Sequence, residues 1–192
     1  TCAVQTGCFI GDEAGFPVTI SASGSYRLSS NLVVPDENTH GISLDSTSDV
    51  TIDLSGFSIS GPVNCSGSPT TCTPSAGTGS GIRSSPISTG VAVHGGTILG
   101  MGFRGVELGI QADVRNLRVR SNQEDGIFVG SGSTVSDSTA RQNGRNGIFT
   151  GASSTVSDNT VLQNGLDGIS ANVSTVVVGN AAYLNGRNGI DT

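Results

Sequence analysis

GIFVGSGSTVSDSTARQNGRN, residues 126 to 146, is followed without a break by GIFTGASSTVSDNTVLQNGLD, residues 147 to 167. The two are copies of one 21-residue unit, and the dipeptide Gly-Ile/Val that opens each recurs at 105/106, 126/127, 147/148, 168/169 and 189/190. Val114, Val135, Val156 and Val177 keep the same phase, as do Asn122, Asn143, Asn164 and Asn185. Gly, Ser, Thr, Asn and β-branched residues dominate the unit and no 3.6-residue periodicity appears, so it is not a helical repeat. It reads as one coil of a parallel β-solenoid with three short strands, in which equivalent positions stack about 4.8 Å apart along the axis. Val106, Ile127, Ile148, Ile169 and Ile190 form one inward column, the Val114 to Val177 series a second, and Val119, Ala140, Val161 and Ala182 a third. Three inward columns predict a triangular section: an all-β, single right-handed parallel β-helix.

Outward from this core the register weakens. Gly81-Ile82 and Gly41-Ile42 are earlier instances of the signature, and Val50-Thr-Ile-Asp-Leu54 and Phe57-Ser-Ile59 alternate as half-buried strands do. Residues 61–80, GPVNCSGSPTTCTPSAGTGS, break the pattern and are expected to be a surface loop inserted into one coil. Residues 1–40 are the least regular; Phe16 to Ile20 and Tyr26 to Val34 are expected as strands that form or cover the first coil. The domain organisation is therefore 1–40 as the opening strands and 41–192 as the helix with its insertion.

Four cysteines allow three connectivities; the simplest pairs neighbours, Cys2 with Cys8 and Cys65 with Cys72. Their spacings do not suit a zinc site, and disulfides imply a secreted or cell-surface protein whose signal peptide has been removed. The net charge is −6, all nine basic residues are Arg, and no basic cluster is apparent, which argues against nucleic acid and anionic membrane surfaces. No apolar run approaches the roughly 18 residues of a spanning helix.

Among polar columns, Asn122, Asn143, Asn164 and Asn185 are expected to form an amide ladder, with Asn143-Gly144 and Asn164-Gly165 supplying left-handed backbone at a bend. Asp125, Asn146, Asp167 and Asn188 alternate so that no two acids adjoin, and Glu124 falls over Arg145. Asp137 and Asp158 stack at one position. Two unit charges about 4.8 Å apart repel by roughly 1 kcal/mol in water, so the pair suits a solvated face, or, if buried, a Ca²⁺ or substrate site. Arg118 and Arg120 are placed to reach Asp137 diagonally or to face an acidic glycan. Thr134 over Thr155 and Thr139 over Thr160 raise an ice-binding face, but Val176 and Ala181 end the columns.

The segment VTISASGSYRLSSNLVVPDENTHGISLDSTSDVTIDLSGFSISG and units such as NGRNGIFTGASSTVSDNTVLQNGLDGI resemble bacterial exported right-handed β-helix proteins of the pectate-lyase-like superfamily. The resemblance implies the fold over residues 16–192 and leaves activity open. The chain has no Lys base, and the Asp-Pro-His-Glu tetrad of alginate epimerases is absent; in Asn38-Thr39-His40-Gly41-Ile42 a His replaces the acid of the polygalacturonase segment. No catalytic residue is nominated. The expectation is a non-enzymatic extracellular structural protein that self-associates head to tail through the edge Asn188, Gly189, Ile190, Asp191 and Thr192, without a cofactor. The alternative is a polysaccharide-binding or polysaccharide-cleaving module, with Ca²⁺ at Asp137 and Asp158 if a metal takes part.

Overall fold

The structure, a computed structural model, describes Gly7 and residues 12–45 and 47–192. Cys2 and Cys8 lie outside the described residues.

The chain winds into a parallel β-solenoid of three faces. The first face is an eight-stranded parallel sheet: Val18–Ile20, Ile42–Leu44, Ile82–Ser84, Val106–Leu108, Ile127–Val129, Ile148–Thr150, Ile169–Ala171 and Ile190–Asp191, each hydrogen-bonded to its equivalent in the next coil. The second and third faces belong to one twelve-stranded sheet folded along a bend. Ala92–Leu99 and Asp113–Arg120 run through both faces, whereas in later coils the bend divides the strand, as between Thr134–Ser136 and Thr139–Arg141.

The register is the one the repeat requires. Val106 pairs with Ile127, Ile127 with Ile148 and Ile148 with Ile169; Val114 pairs with Val135, and Val119 with Ala140. Strict alternation sends these side chains into a dry interior, where all of them are fully buried. Each coil is too thin to bury its own apolar stripe, so stability is a property of neighbouring coils in contact.

Three corners close the triangle, and each uses left-handed backbone. The corner between the second and third faces places Asn116, Asp137, Asp158 and Gly179 at φ 52°, 51°, 57° and 69°. This is the physical reason for the stacked aspartates: Asp and Asn tolerate the left-handed region better than most residues. At the corner leading to the first face the left-handed residues are Ser121, Gln142 and Gln163, one position before the asparagines. The left-handed Asn-Gly pair expected there is thus displaced by one residue. Gly144 serves close approach instead, since a Cβ on it would lie 3.1 Å from Cys72 Sγ and would also run into the carbonyl of Gln123.

Residues 61–80 are more ordered than a surface loop. Asn64–Ser66 and Thr71–Thr73 pair as an antiparallel hairpin, closed by a disulfide between the register partners Cys65 and Cys72. The hairpin lies along the Asn corner: both sulfurs approach the Asn122 carbonyl, at 3.6 and 3.7 Å, and Thr70 Oγ1 donates to the Gln163 carbonyl at 2.6 Å. Cys65, Val63 and Thr70 are buried by this packing. The insertion therefore straps neighbouring coils from outside.

Candidate functional site

At each corner a polar column points inward. Asn122 Nδ2 donates to Asn143 Oδ1, Asn143 Nδ2 to Asn164 Oδ1 and Asn164 Nδ2 to Asn185 Oδ1, each at 3.0 Å, and the same oxygens accept the backbone N–H of the preceding coil. Asn159 and Asn180 form a second amide ladder, at 3.0 Å, and Ser133, Ser154 and Thr175 a hydroxyl one. Sequence reading missed these two, although Asn159 and Asn180 stand one repeat apart. All three ladders are engaged within the solenoid and leave no group for a ligand.

Asp137 and Asp158 are exposed on the second corner, and Asp158 lies against Gly179 of the next coil. Among the described residues no three His, Cys, Asp or Glu side chains gather as metal ligands would. The expected diagonal ion pair from Arg118 or Arg120 to Asp137 does not form, although Arg118 and Asp137 border one depression. Asn188 and the strand Ile190–Asp191 make the last coil, pairing with Ile169–Ala171; Asn188 N donates to Asp167 Oδ1 at 2.9 Å.

The outer surface of the first face is where unlike side chains converge. Its outward column runs Ser43, Arg83, Glu107, Phe128, Phe149, Ser170 and Asp191 by register. Phe128 and Phe149 stack with centroids 4.9 Å apart and planes 3° from parallel. Arg104 lays its guanidinium over the other side of Phe128, 3.6 Å from the centroid, and touches Phe103 at 4.7 Å. Phe128 is therefore covered on both faces. Phe149 is covered on one; its other face looks toward Ser170, where the aromatic column stops and a depression of about 350 Å³ opens, bordered by Asn146, Leu166, Asp167 and Arg187.

The rim of this depression is fixed by buried carboxylates. Asp125 and Asp167 are each only 3% exposed. Asn146 donates its backbone and side-chain N–H to Asp125 Oδ1 at 3.2 and 3.0 Å, and Asp125 Oδ2 faces Arg104 Nε at 3.4 Å. Arg187 stands 3.7 Å from Asp167, and Arg145 pairs with Glu124 at 3.1 Å. The alternation of Asp and Asn thus leaves each buried carboxylate with an Asn donor and an Arg, the condition for burying charge.

At the other end of the same face, His40, Thr78, Arg83, Phe103 and Glu107 line a second depression of about 370 Å³. Glu107 is held by Arg104 Nη1 at 2.9 Å, by the Ser80 hydroxyl at 2.9 Å and by Arg83 at 3.8 Å. His40 Nδ1 accepts the Ser80 N–H at 2.9 Å. Burial, then the nearby Arg83 charge, hold the His40 pKa below its ordinary value, against a smaller upward pull from Glu107. The His40 Nδ1 is spent on Ser80, and its Nε2 stands 3.4 Å from Arg83 Nη1. Neither His40 nor Glu107 is thus left as a free proton acceptor. The chemistry this surface offers is recognition: an aromatic face, fixed amide and guanidinium donors, and anchored carboxylate acceptors.

Parallel coils, inward aliphatic columns and outward polar faces define a parallel β-solenoid. Residues 80–192 match the family model described as the right-handed β-helix region, and the chain belongs to that family. No curated protein matches its sequence. Among solved structures it is similar to the A-module of the mannuronan C-5 epimerase AlgE4 of Azotobacter vinelandii, at 11% identity and a TM-score of 0.42, over 84% of this chain and 57% of that one. The chain thus spans little more than half the length of that module.

Proposed function

We propose that the protein is a non-catalytic polysaccharide-binding β-helix that holds a sugar chain along the outer surface of its first face. One observation carries the reading: the stack of Phe128 on Phe149 ends at Ser170, leaving Phe149 without an aromatic partner on its second side, at a depression rimmed by Asn, Asp and Arg side chains. A pyranose ring presents C–H groups on its flat side and hydroxyls around its edge. Seated on Phe149, it covers apolar area below while the rim groups exchange hydrogen bonds with the hydroxyls, the usual division of labour in a ligand depression. The disulfide of the strap supports a site of action outside the reducing cytoplasm. A lateral face accounts for more of the side-chain geometry than axial association through residues 188–192.

Affinity electrophoresis tests the reading, with native gels cast with hydroxyethyl cellulose, dextran, alginate or polygalacturonate. The protein is expected to be retarded by at least one of them and to release no unsaturated product from the uronate polymers, with or without chelator. Retardation by none contradicts the binding reading; product release contradicts its non-catalytic part.

A further inference from the structure

Nine arginines provide all the cationic side chains of this acidic protein apart from its two histidines. Six are paired: Arg27 with Asp53, Arg83 and Arg104 with Glu107, Arg115 with Asp113, Arg145 with Glu124, and Arg187 with Asp167. The other three are Arg118, Arg120 and Arg141, and they stand together on the third face. Arg120 and Arg141 are direct register partners, and Arg118 precedes Arg120 by two residues on the same side of the strand. None makes an ion pair or side-chain hydrogen bond to any described residue. Like charges directly opposed across a ladder are unfavourable, and no acid stands in the columns on either side: Leu99 neighbours Arg120, Leu162 neighbours Arg141, and Thr97 and Thr139 flank Arg118. Asp137 borders a shallow depression with Arg118, Asn116 and Thr139 but does not pair with Arg118.

In a chain that neutralises every other arginine, this group lacks its counter-charge. We propose that Arg118, Arg120 and Arg141 form an oxyanion site that takes the sulfate ester groups of a sulfated polysaccharide. Adjacent strands bring the Arg120 and Arg141 stems about 4.8 Å apart, close enough for their long side chains to converge on one group. Guanidinium forks bind such oxyanions through paired charge-assisted hydrogen bonds, and a sulfate ester has three terminal oxygens for three forks where a carboxylate has two. The repetitive coil favours a polymer over a free ion, since successive anionic groups can follow the axis. The site is independent of the Phe149 surface, which lies on another face.

The test is retention on immobilised dextran sulfate, with dextran and polygalacturonate columns beside it and inorganic sulfate or a single-stranded oligonucleotide as competitor. Wild-type protein is expected to bind dextran sulfate more tightly than dextran or polygalacturonate and to elute with salt. The double variant R120Q/R141Q is expected to lose at least about tenfold in affinity, whereas R115Q, which removes an already paired arginine, stays within about twofold. The Phe149→Ala variant should bind dextran sulfate normally, so failure here is separable from failure of the sugar-stacking reading. Wild-type protein that ignores dextran sulfate, or a double variant that binds it like wild type, overturns the site. Equal retention of Phe149→Ala on polygalacturonate, or displacement by the oligonucleotide or by millimolar inorganic sulfate, overturns the assignment to sulfated polysaccharide.

Discussion

Asn143 and Asn164 are joined by a side-chain hydrogen bond, Nδ2 to Oδ1 at 3.0 Å, in a place where both are fully buried. The Asn143 oxygen in turn accepts the backbone and side-chain N–H of Asn122 at 3.2 and 3.0 Å. Replacing Asn143 by Ala removes that oxygen and leaves two buried donors of Asn122 without a partner, each costing about 1–3 kcal/mol. Denaturant unfolding of Asn143→Ala should show a loss of about 2–5 kcal/mol, at the upper end of single-residue effects. Asn143→Asp keeps the accepting oxygen but sets a carboxylate against Asn164 Oδ1, and should also destabilise.

Glycines in this chain differ in purpose, and two substitutions separate them. A Cβ at Gly126 would stand 2.6 Å from Asn143 Nδ2 and 2.7 Å from the Gly147 carbonyl, so Gly126→Ala must spread two coils. Gly132 sits at φ 69° with only the Gln111 side chain near, at 3.6 Å. Gly132→Asn supplies a residue that tolerates left-handed backbone and should cost under about 1 kcal/mol. Thermal melts of the two should differ by several degrees, with Gly126→Ala the lower.

The repeat made the coil length, register, three inward columns and three-sided section readable, because every 21 residues the same inward position must be filled by an aliphatic side chain. Glu124 over Arg145 and the Asp/Asn alternation were readable for the same reason: stacking converts sequence period into contact. Groups that act across unlike columns escaped. The Phe128–Phe149 stack consists of two phenylalanines in phase, but its significance depends on Arg104 covering one end and Ser170 leaving the other open. The hairpin at 64–73 has no periodicity to declare it, and its docking on Asn122 and Gln163 is a long-range contact. The nine arginines are visible as letters; that three lack partners is a fact of geometry.

His40 gives stability a pH dependence of known sign. Its folded pKa lies below the ordinary 6.5, chiefly through burial, so between that depressed value and 6.5 the unfolded chain binds more protons than the native one. Stability should be fully present above about pH 6.5 and fall as pH drops toward the folded pKa. Asp36 and Asp53, whose carboxyls are held below 3.8 by backbone N–H donors, act only at lower pH. Urea unfolding from pH 7.5 to 5 should show the decline in wild-type protein and a flatter profile in His40→Asn.

The strap offers a separate check. Cys65 and Cys72 close a loop with a sequence separation of 7, and by loop-closure entropy their link contributes about 2–3 kcal/mol. Cys65→Ser/Cys72→Ser should lose about that much. Amide exchange should rise first at residues 122–124, 143–145 and 163–165, where the hairpin lies. An increase spread evenly over all coils would show that the hairpin does not act as a strap.

Whether Phe149 receives a sugar ring is measured most directly by affinity electrophoresis of Phe149→Ala and Phe149→Leu in the polysaccharide gel that retards wild-type protein. Loss of an aromatic platform worth about 1 kcal/mol or more should weaken binding about fivefold or more in Phe149→Ala. Leucine restores bulk but not the flat ring, so it should recover thermal stability and little of the binding, while Ser43→Ala, further along the same column, should migrate as wild type. Retardation of Phe149→Ala equal to that of the wild-type protein would show that the ring does not seat a sugar.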